Sequence, residues 1–339
     1  MPEFRHDPVV GYWTIISTER SRRPVEFRPR ELPEERRCPF CEGREDETTP
    51  EAFAIRKMGT TPDGPGWDVR VIVSKMPLLS ESGPAESCSH GLYDRMDGIG
   101  RHEIIVESPR HAHDLDELDL PAIEKVIRAY VNRLNAFKKD ESVKYALLFK
   151  NHGLISGSVR DVIRHSRSQL ITLPVIPKRV KEELASTKAY FEREGRCVFC
   201  DILKQEKNEA ARVVSENKTF LAFCPFASRS PFEMWILPKE HEADFGQLPP
   251  KDFHDFALIL KECLIKLHDL LEDPPFNLVL HTAPYRHKTG DYHWYLQIAP
   301  RLTKNAGFEW GTGIHINPTP PEDAALLLRQ TKVRHARTS

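Results

Sequence analysis

The sequence predicts an α+β protein made of two copies of one unit, residues 1–178 and 179–339, each an antiparallel sheet with a covering helix. Three observations carry this reading. Two Cys-x-Phe-Cys turns, Cys38-Pro-Phe-Cys41 and Cys197-Val-Phe-Cys200, recur in the two halves. Each is followed by an apolar run leading to a histidine, an amphipathic helical stretch, a short β-rich run, and a second histidine with glutamine four residues on. The two histidines lie 54 residues apart in the first half (His111 to His165) and 52 in the second (His241 to His293). Self-similarity at this scale marks a duplicated structural unit, and meandering strands under one helix pair antiparallel.

The elements can be argued in order. Gly11 to Ser17 reads as a strand, and Thr18 to Pro24 as a basic turn whose Arg20 and Arg23 could clamp a phosphate, because a guanidinium fork matches phosphate oxygens. Taken alone, such a charged run is more often a solvated surface. Val69-Arg-Val-Ile-Val73 is a strand by its β-branched content, and His102 to Glu107 continues the sheet. Leu115 to Lys138 is a helix, with Ile123, Val126, Ile127, Tyr130, Val131, Leu134 and Phe137 on one face. Tyr145-Ala-Leu-Leu-Phe149 is the next strand. A loop, Asn151 to Ser158, then leads to Arg164-His-Ser-Arg-Ser-Gln169. On a strand, His165, Arg167 and Gln169 share one face, and the backbone N–H groups of a loop bearing Asn151, Gly157 and Ser158 can point at an anion. In the second half, Phe232 to His241, a helix bearing Phe253, Phe256, Ala257, Leu260, Leu264 and Leu267, Phe276 to Leu280, and His293-Trp-Tyr-Leu-Gln297 repeat that order.

Composition narrows the function. With 339 residues the chain is long enough for two domains of ordinary size or one large one, and 40% hydrophobic with 29% charged residues fits a soluble globular protein. A net charge of −1 gives no electrostatic case for nucleic acid or membrane as a partner, and no run approaches the length of a membrane span. Twenty-seven prolines argue against a helical bundle. Seven cysteines, four of them in Cys-x-x-Cys pairs, favour metal ligation in a reducing cytoplasm over a disulfide framework. Zinc takes four tetrahedral ligands from thiolates and imidazoles. Two structural zinc sites are expected: Cys38, Cys41, His111 and His165, then Cys197, Cys200, His241 and His293. Cys88, Cys224 and Cys263 have no partner at ligand spacing.

With these residues in place, the chain resembles the galactose-1-phosphate uridylyltransferase family of the histidine-triad superfamily. The matching features are Trp13 with Arg20 to Pro24, Cys38-Pro-Phe-Cys41, Val-Glu-Ser-Pro-Arg-His111, Phe149-Lys-Asn-His-Gly153, His165-x-x-x-Gln169, the second Cys-x-x-Cys, and Gly307 to Pro318. They span nearly the whole chain. Zinc ligands in both halves are more like the branch with HSHSQ signatures, which includes ADP-glucose phosphorylase-like enzymes. The resemblance implies tandem histidine-triad-like domains, 1–178 and 179–339, and hexose-1-phosphate nucleotidyl transfer in galactose and carbohydrate metabolism. It also implies nucleotide sugars and sugar phosphates as partners, and a homodimer. In the family, a histidine attacks the α-phosphorus and carries the nucleotidyl group. Arg20, Arg23, Ser74, Asn151, Gly157, Ser158 and Gln169 match positions around the substrate.

The sequence departs from the family at the position that matters most. The signature His-x-His-x-Gln reads His165-Ser-Arg167-Ser-Gln169 here. Arginine stays protonated and offers no lone pair, so Arg167 cannot attack phosphorus. The preceding loop is three residues longer than is usual in the family, and Ser74 stands where the family usually carries asparagine. Three readings follow: a uridylyltransferase-type enzyme without the covalent step, a non-catalytic binder of nucleotide sugars or phosphorylated metabolites, and direct single-step transfer with Arg167 stabilising phosphoryl charge.

Overall fold

The computed structural model describes residues 3–16, 37–81, 83, 87–112, 114–153, 164–287, 290–303 and 306–331. Arg20, Arg23, Gly157 and Ser158 lie outside these residues. In chain order the elements are β1 (Glu3–His6), β2 (Trp13–Ile16), β3 (Glu51–Arg56), β4 (Trp67–Val73), β5 (Ser87–His90), β6 (Tyr93–Met96), β7 (His102–Val106), α1 (Leu120–Phe137), β8 (Tyr145–His152) and β9 (Arg167–Leu173). They continue with α2 (Lys178–Glu194), α3 (Val198–Glu209), β10 (Val213–Glu216), β11 (Phe220–Phe223), β12 (Met234–Pro238), α4 (Phe253–Leu271), β13 (Phe276–His281), β14 (Tyr295–Pro300), α5 (Gly307–Thr312), β15 (His315–Asn317) and α6 (Pro321–Gln330).

The fold is mixed α+β, and its two half-sheets are one. Ten strands run in the order β10-β11-β12-β14-β13-β8-β9-β7-β4-β3, with antiparallel neighbours throughout. Read inward from either edge, the order of the halves is the same. They meet where β8 pairs with β13, from Phe276 opposite His152 to Leu280 opposite Leu148. That pairing satisfies backbone groups that two separate sheets would leave at open edges.

Strand alternation divides the sheet's two faces. Val71, Ile105, Leu148, Leu170, Leu278, Leu296 and Ile236 point to one side and join a single buried cluster with α1, α4 and α6. The helix expected from Leu115 starts at Leu120 instead, because Asp119 caps it by accepting the Ala122 N–H at 2.8 Å, with Pro121 in the first turn. Residues 115–117 form a separate 3₁₀ turn, capped by the Asp114 carboxylate on the Leu115 N–H.

Among the described residues, the opposite face is covered by a helix in the second half. There, Leu221, Phe223, Trp235 and Tyr295 pack under α3 with Val9. The β1–β2 hairpin also lies on that half. Its β2 runs parallel to β15, Thr14 donates to the Ala227 carbonyl, and Arg5 pairs with Glu322 at 2.9 Å. The amino-terminal residues therefore cross the division at 178/179 expected from the repeat. Helix α2 begins there and stops at Gly195, whose φ of +68° is the left-handed conformation glycine adopts without a Cβ clash.

Candidate functional site

The candidate site is built on the first half's sheet face opposite α1, which no helix of the described residues covers. Arg167 and Gln169 alternate along β9 with Ser166 and Ser168, which are buried beneath. The register places Val106 of β7 opposite Arg167, Ile104 opposite Gln169, and Phe149 of β8 opposite Gln169. Continuing β8 by two residues brings Asn151 beside Arg167. Asn151 Oδ1 accepts from Asn277 Nδ2 of β13 at 2.7 Å, and Asn277 Oδ1 accepts from the Arg301 guanidinium. A polar row thus crosses the seam, with an arginine at either end.

Arg167 is held, and it is half-buried. Its guanidinium donates to the His165 carbonyl at 3.1 Å and sits 5.7 Å from the centroid of the Phe40 ring. Gln169 Oε1 accepts from His102 Nε2 at 2.9 Å, leaving the amide N–H groups to donate outward. His102, one strand over, was not anticipated from sequence, because only the β7–β9 pairing reveals it as a neighbour of Gln169. Ser74 lies at the end of β4 and gives its N–H to the His102 carbonyl, while its hydroxyl accepts from the Met76 N–H at 3.3 Å. It borders the face but caps its own turn.

Beneath this face lies a buried charge network. Lys150 Nζ reaches Glu107 at 2.6 Å and Asp114 at 3.0 Å. Tyr130 donates to Glu107 at 2.6 Å, and Ser166 and Ser168 donate to the same carboxylate. Glu107 and Lys150 are almost wholly buried, so each depends on the other for compensation. Lys150 on β8 and Glu107 just after β7 are 43 residues apart in sequence, and they meet because β8 and β7 flank β9 in the sheet.

The eight expected metal ligands come together as two clusters, each with its donor atoms within 4.8 Å of one another. In the first, Cys38 Sγ lies 3.4 Å from His165 Nδ1, and Cys41 Sγ lies 3.5 Å from His111 Nδ1 and 3.7 Å from His165 Nδ1. In the second, Cys200 Sγ lies 3.4 Å from His241 Nδ1 and 3.8 Å from His293 Nδ1. Tetrahedral zinc with the usual bond lengths sets sulfur and nitrogen about 3.5 Å apart.

The imidazole orientations are compatible with the same ion. His165 Nε2 donates to the Ser108 carbonyl at 2.7 Å, and His293 Nε2 donates to the Pro238 carbonyl at 3.0 Å. Those carbonyls lie three residues before His111 and His241 respectively, so the repeat extends to the outer ring of contacts. Each bond fixes a tautomer that leaves Nδ1 for the metal. Burial also pushes His165 down to about 4, keeping it neutral. The Cys197 thiol is drawn well down by hydrogen bonding from Cys200, with His241 and His293 acting in the same sense. Cys224 and Cys263 are buried in the common core, away from either cluster.

Two family profiles match the chain: the galactose-1-phosphate uridyl transferase N-terminal domain over residues 1–167, and the C-terminal domain over residues 183–336. An ADP-glucose phosphorylase of Arabidopsis thaliana is 37% identical, covering 98% of this chain and 93% of its own length. A galactose-1-phosphate uridylyltransferase of Thermotoga maritima is 27% identical, over 98% of this chain and 99% of its own. The crystal structure of the Arabidopsis ADP-glucose phosphorylase with bound ADP-glucose superposes with a TM-score of 0.84, at 36% identity, covering 98% of this chain and 100% of that one. The chain belongs to the galactose-1-phosphate uridyl transferase family.

Proposed function

We propose that the sheet face around Arg167 binds a nucleotide sugar and a sugar phosphate, and that Arg167 holds phosphate oxygens rather than attacking phosphorus. The fixed guanidinium on β9 carries this reading. It occupies the position where the family's signature places an attacking imidazole, and a permanently protonated group cannot form the nucleotidyl–enzyme bond. Arg167 and the Gln169 amide instead present donors to an α-phosphoryl group, stabilising its charge. Asn151 and Arg301 continue the donor row toward the second half. Similarity to an ADP-glucose phosphorylase supports adenine nucleotide sugars as the preferred class. The face then retains binding and loses two-step transfer; in-line transfer to a bound acceptor is the one route that needs no covalent intermediate.

Zinc fits both Cys/His clusters by donor type, spacing and imidazole orientation. Cys38, Cys41, His111 and His165 would hold one ion, and Cys197, Cys200, His241 and His293 the other. A bound zinc there supplies cross-linking of the Cys turn to the strand that follows it. The ligands themselves position β9, since His165 anchors the strand two residues before Arg167. The reading places the protein in the cytoplasm, as a homodimer, working on soluble metabolites.

Calorimetric titration with ADP-glucose and UDP-glucose tests the binding claim. Saturable binding that weakens at least tenfold in Arg167→Ala supports it. Binding unchanged by that substitution, or none to either nucleotide sugar, would overturn the role given to Arg167.

A further inference from the structure

We propose that Asp114, His152 and His268 form a third divalent-cation site, of nitrogen and oxygen donors, on the seam between the two halves. Asp114 precedes the 3₁₀ turn, His152 ends β8, and His268 lies in the last turn of α4. Asp114 Oδ2 lies 3.5 Å from His152 Nδ1 and 3.8 Å from His268 Nε2. Ligand atoms about 2.1 Å from a shared ion stand roughly 3.0–3.6 Å apart; the two distances from Asp114 lie at or within a few tenths of an ångström of that range, and all three ligand atoms lie within 4.8 Å of one another.

The ring orientations point the same way. His268 Nδ1 is held by Asp116 Oδ2 at 2.7 Å, which turns Nε2 toward Asp114. His152 Nε2 is held by Asp273 Oδ1 at 2.7 Å, which turns Nδ1 toward Asp114. His152 is also stacked on Phe276, 4.8 Å between centroids. A carboxylate on the far nitrogen of a histidine is the usual support of a metal-bound imidazole, and both rings here have one.

The independent sign of a ligand is an unmet need at the centre. Asp114 is 1% exposed, yet its Oδ2 has no hydrogen-bond partner, and neither does His268 Nε2. A buried carboxylate oxygen without a partner is costly. Its other oxygen is engaged by Lys150 and the Leu115 N–H. Asp114, Asp116 and Asp273 face Lys150 and the His268 imidazole, which, against the lowering effect of burial, those carboxylates push up to about 9, so a divalent ion bound here would displace the His268 proton. Two imidazoles with carboxylate suit zinc, cobalt, nickel or manganese better than calcium or magnesium. The ion would clasp α4 of the second half to β8 of the first.

Cobalt(II) alone is the probe, added to the purified full-length protein after its thiolate sites are filled with zinc. Cobalt bound to thiolate shows intense sulfur charge-transfer absorption, and cobalt bound to nitrogen and oxygen does not, so failure of the Cys sites is seen separately. The expected result is one further equivalent without the sulfur band, and at least a tenfold loss of its affinity in His152→Gln and in His268→Gln. In the native protein, the same cobalt should broaden the ring resonances of His152 and His268. No sulfur-free equivalent, unchanged uptake in both variants, or broadening confined to other histidines would overturn the site.

Discussion

Arg167 on β9 and Tyr295 on β14 occupy the same position in two copies of one motif, each two residues beyond a buried histidine whose Nε2 donates to a carbonyl. Their surroundings have diverged completely. Tyr295 is fully buried, donates to Glu183 of α2 at 2.8 Å, and stacks on His281 with ring centroids 4.2 Å apart. Arg167 is half-buried, on a face that no helix of the described residues covers. Among the described residues, the duplication thus packs one copy of the motif under a helix and leaves the other without one.

The Lys150–Glu107 pair is predicted to matter for stability far more than any surface pair. Lys150→Met leaves Glu107 buried without its cation, a change that costs about 3–5 kcal/mol in comparable sites. Urea denaturation of the variant should show a loss of that order. A change under ~1 kcal/mol would mean that Tyr130, Ser166 and Ser168 alone suffice to compensate Glu107.

Metal removal should act on both halves. Zinc analysis of the purified protein should give at least two per chain, with one fewer in Cys41→Ser and one fewer in Cys200→Ser. Chelation should lower the melting temperature, because the ion ties each Cys turn to its strand. Full retention of zinc in either variant would remove that cysteine from the ligand set.

His281 sets a pH dependence of known sign. Burial lowers its affinity for protons below the ordinary imidazole value. The unfolded chain therefore binds more protons than the folded one below roughly pH 6.5, and the His281 contribution, present in full above that pH, is lost as pH falls through the folded value. Stability measured from pH 7.5 to pH 5 should decline, with a shallower decline in His281→Gln. Identical slopes for the two proteins would contradict the assignment.

What could be read from sequence follows from what sequence encodes locally. The convergence of the eight Cys/His side chains into two clusters was legible because residue type and order repeat. The helical face of α1 was legible from its period, but its start was not, because Asp119 competed successfully as a cap within a longer apolar pattern. Ser74 matches a substrate position through the family resemblance, and the hydroxyl contact it makes with the Met76 N–H was not legible in the sequence. His102, the Lys150–Glu107 pair and the His152–His268 cluster were invisible because each depends on strand pairing or on contact across the seam. The joining of two sheets through β8 and β13 was hidden for the same reason, since neither strand shows by itself which edge it will meet.

Substitution at position 167 probes the proposed chemistry at its root. Release of glucose 1-phosphate from ADP-glucose and UDP-glucose should be followed with phosphate or galactose 1-phosphate as acceptor, for the native protein beside Arg167→His. The proposal predicts that the native protein binds nucleotide sugar without forming a labelled nucleotidyl–protein adduct, whereas Arg167→His forms the adduct and turns over at least a hundredfold faster. A native protein that forms the adduct, or that equals the histidine variant in rate, would contradict the assignment of Arg167 as a phosphate-holding cation in place of a nucleophile.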